Sequence, residues 1–390
     1  MYLLLLSLIY LAFISLGLPD SLLGSAWPTI YPAMSVDMSS MGLVTMIISG
    51  STILSSLLSE RMVNRFGTRT VVVVSVLTTA AALFGFSTVS AFWMFLLWAI
   101  PYGLGAGAID AALNNYVALH YNARHMSWLH CFWGVGTIIS PSIMSYALTN
   151  YSWHLGYRLV AILQLGIGLI LLLTLPVWKI HQKSAASEKT VKPLGIRCAV
   201  NIPGVLPMLL GFFCYCAAES TVMQWASSYL VQVRHISAET AAALGGLFYL
   251  GMTLGRFLSG FLTNRWGDWK MIRWGAVLAL GGVLLLVLPI DKDILRFAGF
   301  ILIGLGCAPI YPSIIHATPV SFGAENSQAI IGIQMAFAYT GSTFMPPVFG
   351  LLAQHISMKL LPLYLAVFLC SMMALLHISN RQAPTKPPRN

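Results

Sequence analysis

Residues 92–119 read FWMFLLWAIPYGLGAGAIDAALNNYVAL, an apolar run whose one charged side chain is Asp110. Coiled as a helix at 1.5 Å per residue it extends about 42 Å, more than the roughly 30 Å hydrocarbon core of a bilayer. The same reading extended along the chain gives twelve apolar segments, at about 3–27, 41–59, 70–90, 92–119, 126–149, 157–178, 203–231, 240–263, 271–289, 295–316, 326–353 and 360–379. Backbone polar groups cannot be left unpaired in lipid, so segments of this length must be helices. A barrel would show alternating segments of about ten residues, and none is present. The expected fold class is an all-α membrane protein with twelve transmembrane helices in two six-helix bundles.

Composition agrees with that reading. Only 8% of the 390 residues are charged and the mean hydropathy is +0.81, whereas a soluble domain carries about 25% charged residues. The net charge of +10 does not point to nucleic acid, because no basic stretch is long enough to follow a phosphate backbone. The cations sit instead in short segments between apolar runs. Arg61, Arg65, Arg69, Arg124, the group from Lys179 to Arg197, Arg265, Lys270, Arg273 and the C-terminal tail lie on one side. They outnumber Arg158, Arg234, Lys292, Arg296 and Lys359 on the other. That asymmetry places both termini and the loop at 179–202 in the cytoplasm, in an inner or plasma membrane. The first apolar run, which starts almost at Met1, reads as a retained helix rather than a leader peptide. Five of the six cysteines lie in apolar runs and Cys198 near a basic loop, a usage that suggests neither a disulfide framework nor a metal site.

The polar loop divides the chain into a bundle at 1–178, a linker at 179–202, a bundle at 203–380 and a tail at 381–390. The halves echo each other. Asn64-Arg65-Phe66-Gly67-Thr68-Arg69 follows the second segment, and Asn264-Arg265-Trp266-Gly267-Asp268-Trp269-Lys270 follows the eighth, at an offset of 200. Gly136 to Pro141 is matched by Gly341 to Pro346, and Gly103-Leu-Gly105 by Gly304-Leu-Gly306. Such duplication is common in secondary transporters.

Over essentially its whole length the chain resembles the major facilitator superfamily, whose loop signature reads G-x-x-x-D-R-x-G-R-[RK]. The second copy matches best, as Gly260-x-x-x-Asn264-Arg265-x-Gly267, with Asn in place of Asp; the first copy has Glu60 and Asn64 at the Gly and Asp positions. The resemblance assigns Asn64, Arg65, Gly67, Arg69, Asn264, Arg265 and Gly267 to a cytoplasmic gate. Within the superfamily the chain is similar to the fucose:proton symporters and hexose permeases. The residues that carry this are Gly17-Leu-Pro-Asp20, Asp110-Ala-Ala-Leu-Asn114-Asn115, and Ala218-Glu219 with Trp225. The likeness implies alternating access, driven by a proton gradient with no cofactor. It assigns proton coupling to Asp20 and Asp110, and sugar binding to polar and aromatic side chains of cavity-lining helices.

An acid at the centre of a membrane helix costs roughly 2.5–3.5 kcal/mol on insertion scales, so Asp20, Asp110 and Glu219 need a reason to be there. They fall in segments 1, 4 and 7, and segment 10 offers Tyr311 where the repeat aligns with Asp110. Gly103, Gly107, Asp110 and Asn114 share one helix face within about 60°, while Asn115 points elsewhere. Pro19 removes the helical partner of the Ser15 carbonyl and loosens the turn beside Asp20. A sugar needs amide or carboxyl partners and an aromatic plate. Asn114, Asn115, His130, Trp133, Glu219, Gln224, Trp225, Tyr311 and Gln334 are the candidates. His130 fits a titrating, hydroxyl-binding or helix-tying role. Arg256 is expected to snorkel or to pair near the cytoplasmic gate.

No Walker sequence, nucleophile elbow, HExxH or CxxC occurs, so enzymatic chemistry has no support. A proton-driven exporter is the alternative, but its G-x-x-x-G-P-x-x-G-G run is replaced here by Gly136-Thr-Ile-Ile-Ser140-Pro141-Ser142-Ile143-Met144-Ser145. The expected partners are a small solute such as a sugar, protons and the lipid bilayer, with the protein acting as a monomer.

Overall fold

The computed structural model describes residues 2–37, 40–182, 194–236, 238–288 and 293–384. The linker positions 183–193, the cation Lys292 and the tail from 385 onward lie outside the described residues. Those described form helices and turns with no strand among them. The first half comprises α1 (Tyr2–Gly17), α2 (Leu22–Ala33), α3 (Met41–Phe66), α4 (Thr68–Phe86), α5 (Phe92–His120), α6 (Ala123–Asn150) and α7 (Trp153–Leu173). Of two short helices, α8 (Leu175–Gln182) straddles the end of the sixth segment of the sequence reading, and α9 (Ile196–Val200) falls where the sequence places a loop. The second half comprises α10 (Val205–Arg234), α11 (Ala238–Trp266), α12 (Asp268–Val287), α13 (Asp293–Cys307), α14 (Ile310–Phe322), α15 (Ala324–His355) and α16 (Leu361–Gln382).

Among the described residues, 10 segments are long and apolar enough to cross a membrane. Segments 240–263 and 326–353 of the sequence reading correspond to the long helices α11 and α15, which complete the set of twelve. Large apolar side chains such as Leu54, Val74, Trp93, Leu173 and Leu284 are exposed, the arrangement expected where lipid rather than water is the solvent.

Two spans are broken. In the first, α1 ends at Gly17 and α2 starts at Leu22. The turn between them is held by Leu18 N–H to Ile14 O (2.9 Å), Asp20 N–H to Gly17 O (3.3 Å) and Leu22 N–H to Pro19 O (3.1 Å). The α2 helix then continues past Trp27, where the sequence ends the segment, through Pro28 and Pro32 to Ala33. Membrane helices tolerate such prolines when neighbouring groups satisfy the freed carbonyls. The tenth span breaks between α13 and α14, where Pro309 is the N-cap of α14; the sequence reading took it as continuous. Both breaks occur at a proline, which has no N–H to continue the ladder.

The repeated loop signature has a local cause. Gly67 joins α3 to α4 at φ 78°, and Gly267 joins α11 to α12 at φ 75°. Only glycine adopts that backbone freely, so each copy of the signature is a tight turn between two membrane helices.

The chain separates into two compact units. The first runs to Tyr116 and resumes over Leu129–Leu194; the second unites Val117–Trp128 with the chain from Gly195 onward. In the first, Gly103 and Gly107 of α5 lie against the backbone of α3 at Ile48 and Thr52, where any larger residue would collide. Hydroxyls of Thr52 and Ser56 donate across that contact to the Gly103 and Gly107 carbonyls (3.1 and 3.3 Å). These glycines are packing residues, and they fix the rotation of α5 that sets where Asp110 points. In the second unit α10 packs chiefly on α15 and α16, and α13 on α11 and α12.

Candidate functional site

In the first unit, α1 and α6 meet backbone to backbone. Gly17 lies against the Trp133 carbonyl and Gly136 against the Ile14 carbonyl, while Ser21 Oγ donates to the Thr137 carbonyl (2.9 Å). That close approach sets Trp133 beside the broken turn. Its indole N–H donates to Asp20 Oδ2 at 2.8 Å, and the Tyr102 hydroxyl donates to Asp20 Oδ1 at 3.2 Å. Asp20 lies about midway along its span, yet it is exposed. Its two hydrogen-bond donors are neutral, and among the described residues no cation pairs with it.

One network joins three further candidates. Asn114 Nδ2 donates to Asp110 Oδ1 (2.7 Å) and to the Asp110 carbonyl (3.0 Å), one turn away on α5. With its nitrogen so engaged, the amide presents Oδ1 to His130 Nε2 of α6 at 3.1 Å. An acceptor there requires that Nε2 carry the proton, which selects the imidazole tautomer. Asp110, Asn114 and His130 are all buried, and the imidazole and the Phe13 ring pack perpendicular to each other with centroids 5.5 Å apart.

The second unit holds the third acid. Glu219, halfway along α10, meets Arg256 of α11 with Oε1 3.4 Å from Nη2. Arg256 lies ten residues, about 15 Å, from the C-terminal end of α11 at Trp266 and is buried. At that depth its side chain cannot reach the interface. The expectation that it snorkels or serves the gate is therefore corrected: its described partner is the midplane carboxylate. Nearby, Tyr215 donates to the Cys307 carbonyl (2.9 Å), and Phe212 and Tyr311 pack with centroids 4.7 Å apart.

The remaining candidates have partners or exposures of their own. Gln334 is fully buried and exchanges hydrogen bonds with Thr318 (2.9 and 3.1 Å). The Trp225 indole donates to the Pro346 carbonyl (2.9 Å). Tyr311 donates to Met335 Sδ (3.3 Å). Asn115 is buried, whereas Gln224 is exposed. Tyr102 was missed by the sequence reading. Its phenol, deep inside the apolar run of α5, was the available signal, since a buried hydroxyl there must find an acceptor.

In the two copies of the loop signature, Asn64, Arg65, Asn264 and Arg265 are exposed. The signature glycine Gly260 is covered by the indole of Trp128, which also meets Phe261 edge to face at 5.6 Å. Asp268, just after Gly267, accepts from His316 Nδ1 (2.7 Å), and His316 Nε2 faces the Tyr121 carbonyl (3.3 Å). An acid is thus present in the second copy, although not at the position where the signature usually carries it.

Membrane-spanning helices in two units, broken spans at prolines and carboxylates at bilayer depth define a multi-pass membrane transporter. The profile of the Major Facilitator Superfamily matches residues 9–293, and the chain belongs to that family. It is a transporter, not an enzyme. The chain is 23% identical over 390 residues to Bypass of stop codon protein 6 of Saccharomyces cerevisiae, covering 90% of this chain and 77% of that protein. It is 21% identical over 311 residues to the glucose/mannose transporter GlcP of Bacillus subtilis, covering 78% and 77%. The crystal structure of the Escherichia coli fucose:proton symporter FucP superposes with a TM-score of 0.75 at 15% identity, over 97% of this chain and 98% of that one.

Proposed function

We propose that the protein is a proton-coupled symporter that takes up a sugar or similar small polar solute, with coupling protons carried on Asp20 and Asp110. The observation that carries this reading is Asp20: an exposed carboxylate at mid-span, held by the neutral donors Trp133 and Tyr102. A negative charge so placed is costly unless it binds a cation in part of the transport cycle. The buried Asp110–Asn114–His130 network supplies a second proton site, in which each protonation state calls for a different hydrogen-bond arrangement. The relatives named as sugar transporters and proton symporters support the solute class. In this reading bundles at 1–178 and 203–380 are joined by a cytoplasmic linker, and a monomer works in an inner or plasma membrane with both termini cytoplasmic. Asn114, Asn115, His130, Trp133, Glu219, Gln224, Trp225, Tyr311 and Gln334 remain the proposed solute contacts.

The test is solute-driven alkalinisation outside proteoliposomes that contain the purified full chain. Asp110→Asn should abolish accumulation against a gradient while leaving solute exchange measurable, and Asp20→Asn should do the same or slow it strongly. If both variants accumulate solute like wild type, the coupling assignment is wrong.

A further inference from the structure

The pairing of Glu219 with Arg256 differs in kind from the other acids, because it places a permanent cation at the midplane. Arginine stays protonated in proteins, so Arg256 requires an anion at every step of a transport cycle. Glu219 supplies one with Oε1 at 3.4 Å, well outside the 2.7–2.9 Å of a tight charge-assisted bond. A guanidinium fork is shaped to hold a carboxylate through two parallel bonds, a geometry that this contact does not reach. The pair is largely buried, with the side chains 8% and 13% exposed, so that water stabilises the two charges little. On the same helix Ser220 and Met223 are half-buried and Gln224 is exposed. The ionisable neighbours that sense Glu219 are Tyr215 on α10, Tyr249 on α11 and Cys307 at the end of α13, together with Arg256 itself.

We propose that Arg256 is an anion receptor and that the solute carries a carboxylate, which replaces Glu219 on the guanidinium while Glu219 takes up a proton. Charge balance requires the second half of that exchange. Before binding, Arg256 and Glu219 sum to zero. When a solute carboxylate pairs with Arg256, the displaced Glu219 carboxylate is left in a low-dielectric setting. Binding one proton from the external solution returns the site to zero. On release the solute leaves as the anion, the proton leaves Glu219, and the original pair reforms. The polar groups nearby then meet the hydroxyls of the same molecule, so the solute class is a hydroxylated carboxylate such as an acidic sugar. This rests on the proton-coupled solute transport proposed above and narrows its solute.

Calorimetry on the purified full chain tests it, using D-glucuronate, D-galacturonate and D-gluconate against the neutral D-glucose and D-galactose. Titrations in buffers of different ionisation enthalpy read the protons taken up per solute bound. We expect the acidic sugars to bind at least about 30-fold tighter than their neutral counterparts, since breaking one side of a buried charge pair costs about 2 kcal/mol or more. About one proton more should be taken up with each acidic sugar than with its neutral counterpart. The paired variant Glu219→Gln with Arg256→Gln keeps the site neutral and guards against misfolding; it should lose the preference for acids. Glu219→Gln alone should bind the acids with about one proton fewer taken up than wild type, leaving any uptake at Asp20 and Asp110 in place. Neutral sugars binding as tightly as acidic ones, or a preference that survives in the paired variant, would overturn the inference and leave symport standing. If no sugar of either set binds, the inference and the sugar reading fall together.

Discussion

Asn114→Ala is the substitution whose consequence the structure defines most sharply. The amide makes two side-chain contacts, one to Asp110 Oδ1 at 2.7 Å and one to His130 Nε2 at 3.1 Å, and it is fully buried. Alanine leaves a gap where neither partner can be satisfied by the new side chain. A hydrogen bond between membrane helices averages about 0.6 kcal/mol and reaches about 1.7 kcal/mol, which bounds the loss of the α5–α6 link through His130. A buried acceptor deprived of its donor adds about 1–3 kcal/mol, which applies to the Asp110 carboxylate. The sum is about 2–5 kcal/mol. The assay is reversible unfolding in mixed micelles titrated with dodecyl sulfate, read by circular dichroism. Asn115→Ala, one residue on and turned away from that network, serves as the comparison and should lose less. An Asn114→Ala variant within about 0.5 kcal/mol of wild type, or one matched by Asn115→Ala, would refute the network as described.

Gly260→Ala should destabilise the protein by about 1–3 kcal/mol, because the added methyl collides with the Trp128 indole. Trp128→Leu in the same chain should recover part of that loss, and a double-mutant cycle by the same unfolding assay reads the coupling. Cys198 is exposed at the start of the second half, and a membrane-impermeant maleimide should label it in inverted vesicles but not in intact cells. Labelling from outside would reverse the proposed topology.

The sequence by itself determined the elements, because the bilayer acts on each segment separately. A run such as 92–119 must be helical whatever it packs against, since lipid offers its backbone no other partner. The duplicated turns at Gly67 and Gly267 were legible for a similar reason: their backbone angles are a local requirement of the chain. Pro19 announced the first broken span, and Pro309 would have announced the second had its missing N–H been weighed in the same way. The three acids, too, stood out against their apolar surroundings.

What each acid does depended on partners far away in the chain. Trp133 reaches Asp20 across 113 positions because Gly17 and Gly136 let two helix backbones touch. Arg256 finds Glu219 on the neighbouring helix rather than reaching for the interface. Gln334, as polar as Asn114 in the sequence, is satisfied by Thr318. Helical periodicity gives the face on which a residue lies but not what that face meets. The meeting is set by how closely, and at what rotation, two helices pack, which depends on small residues and backbone contacts contributed by both. The tertiary structure alone separated an acid held by neutral donors from one paired with a permanent cation.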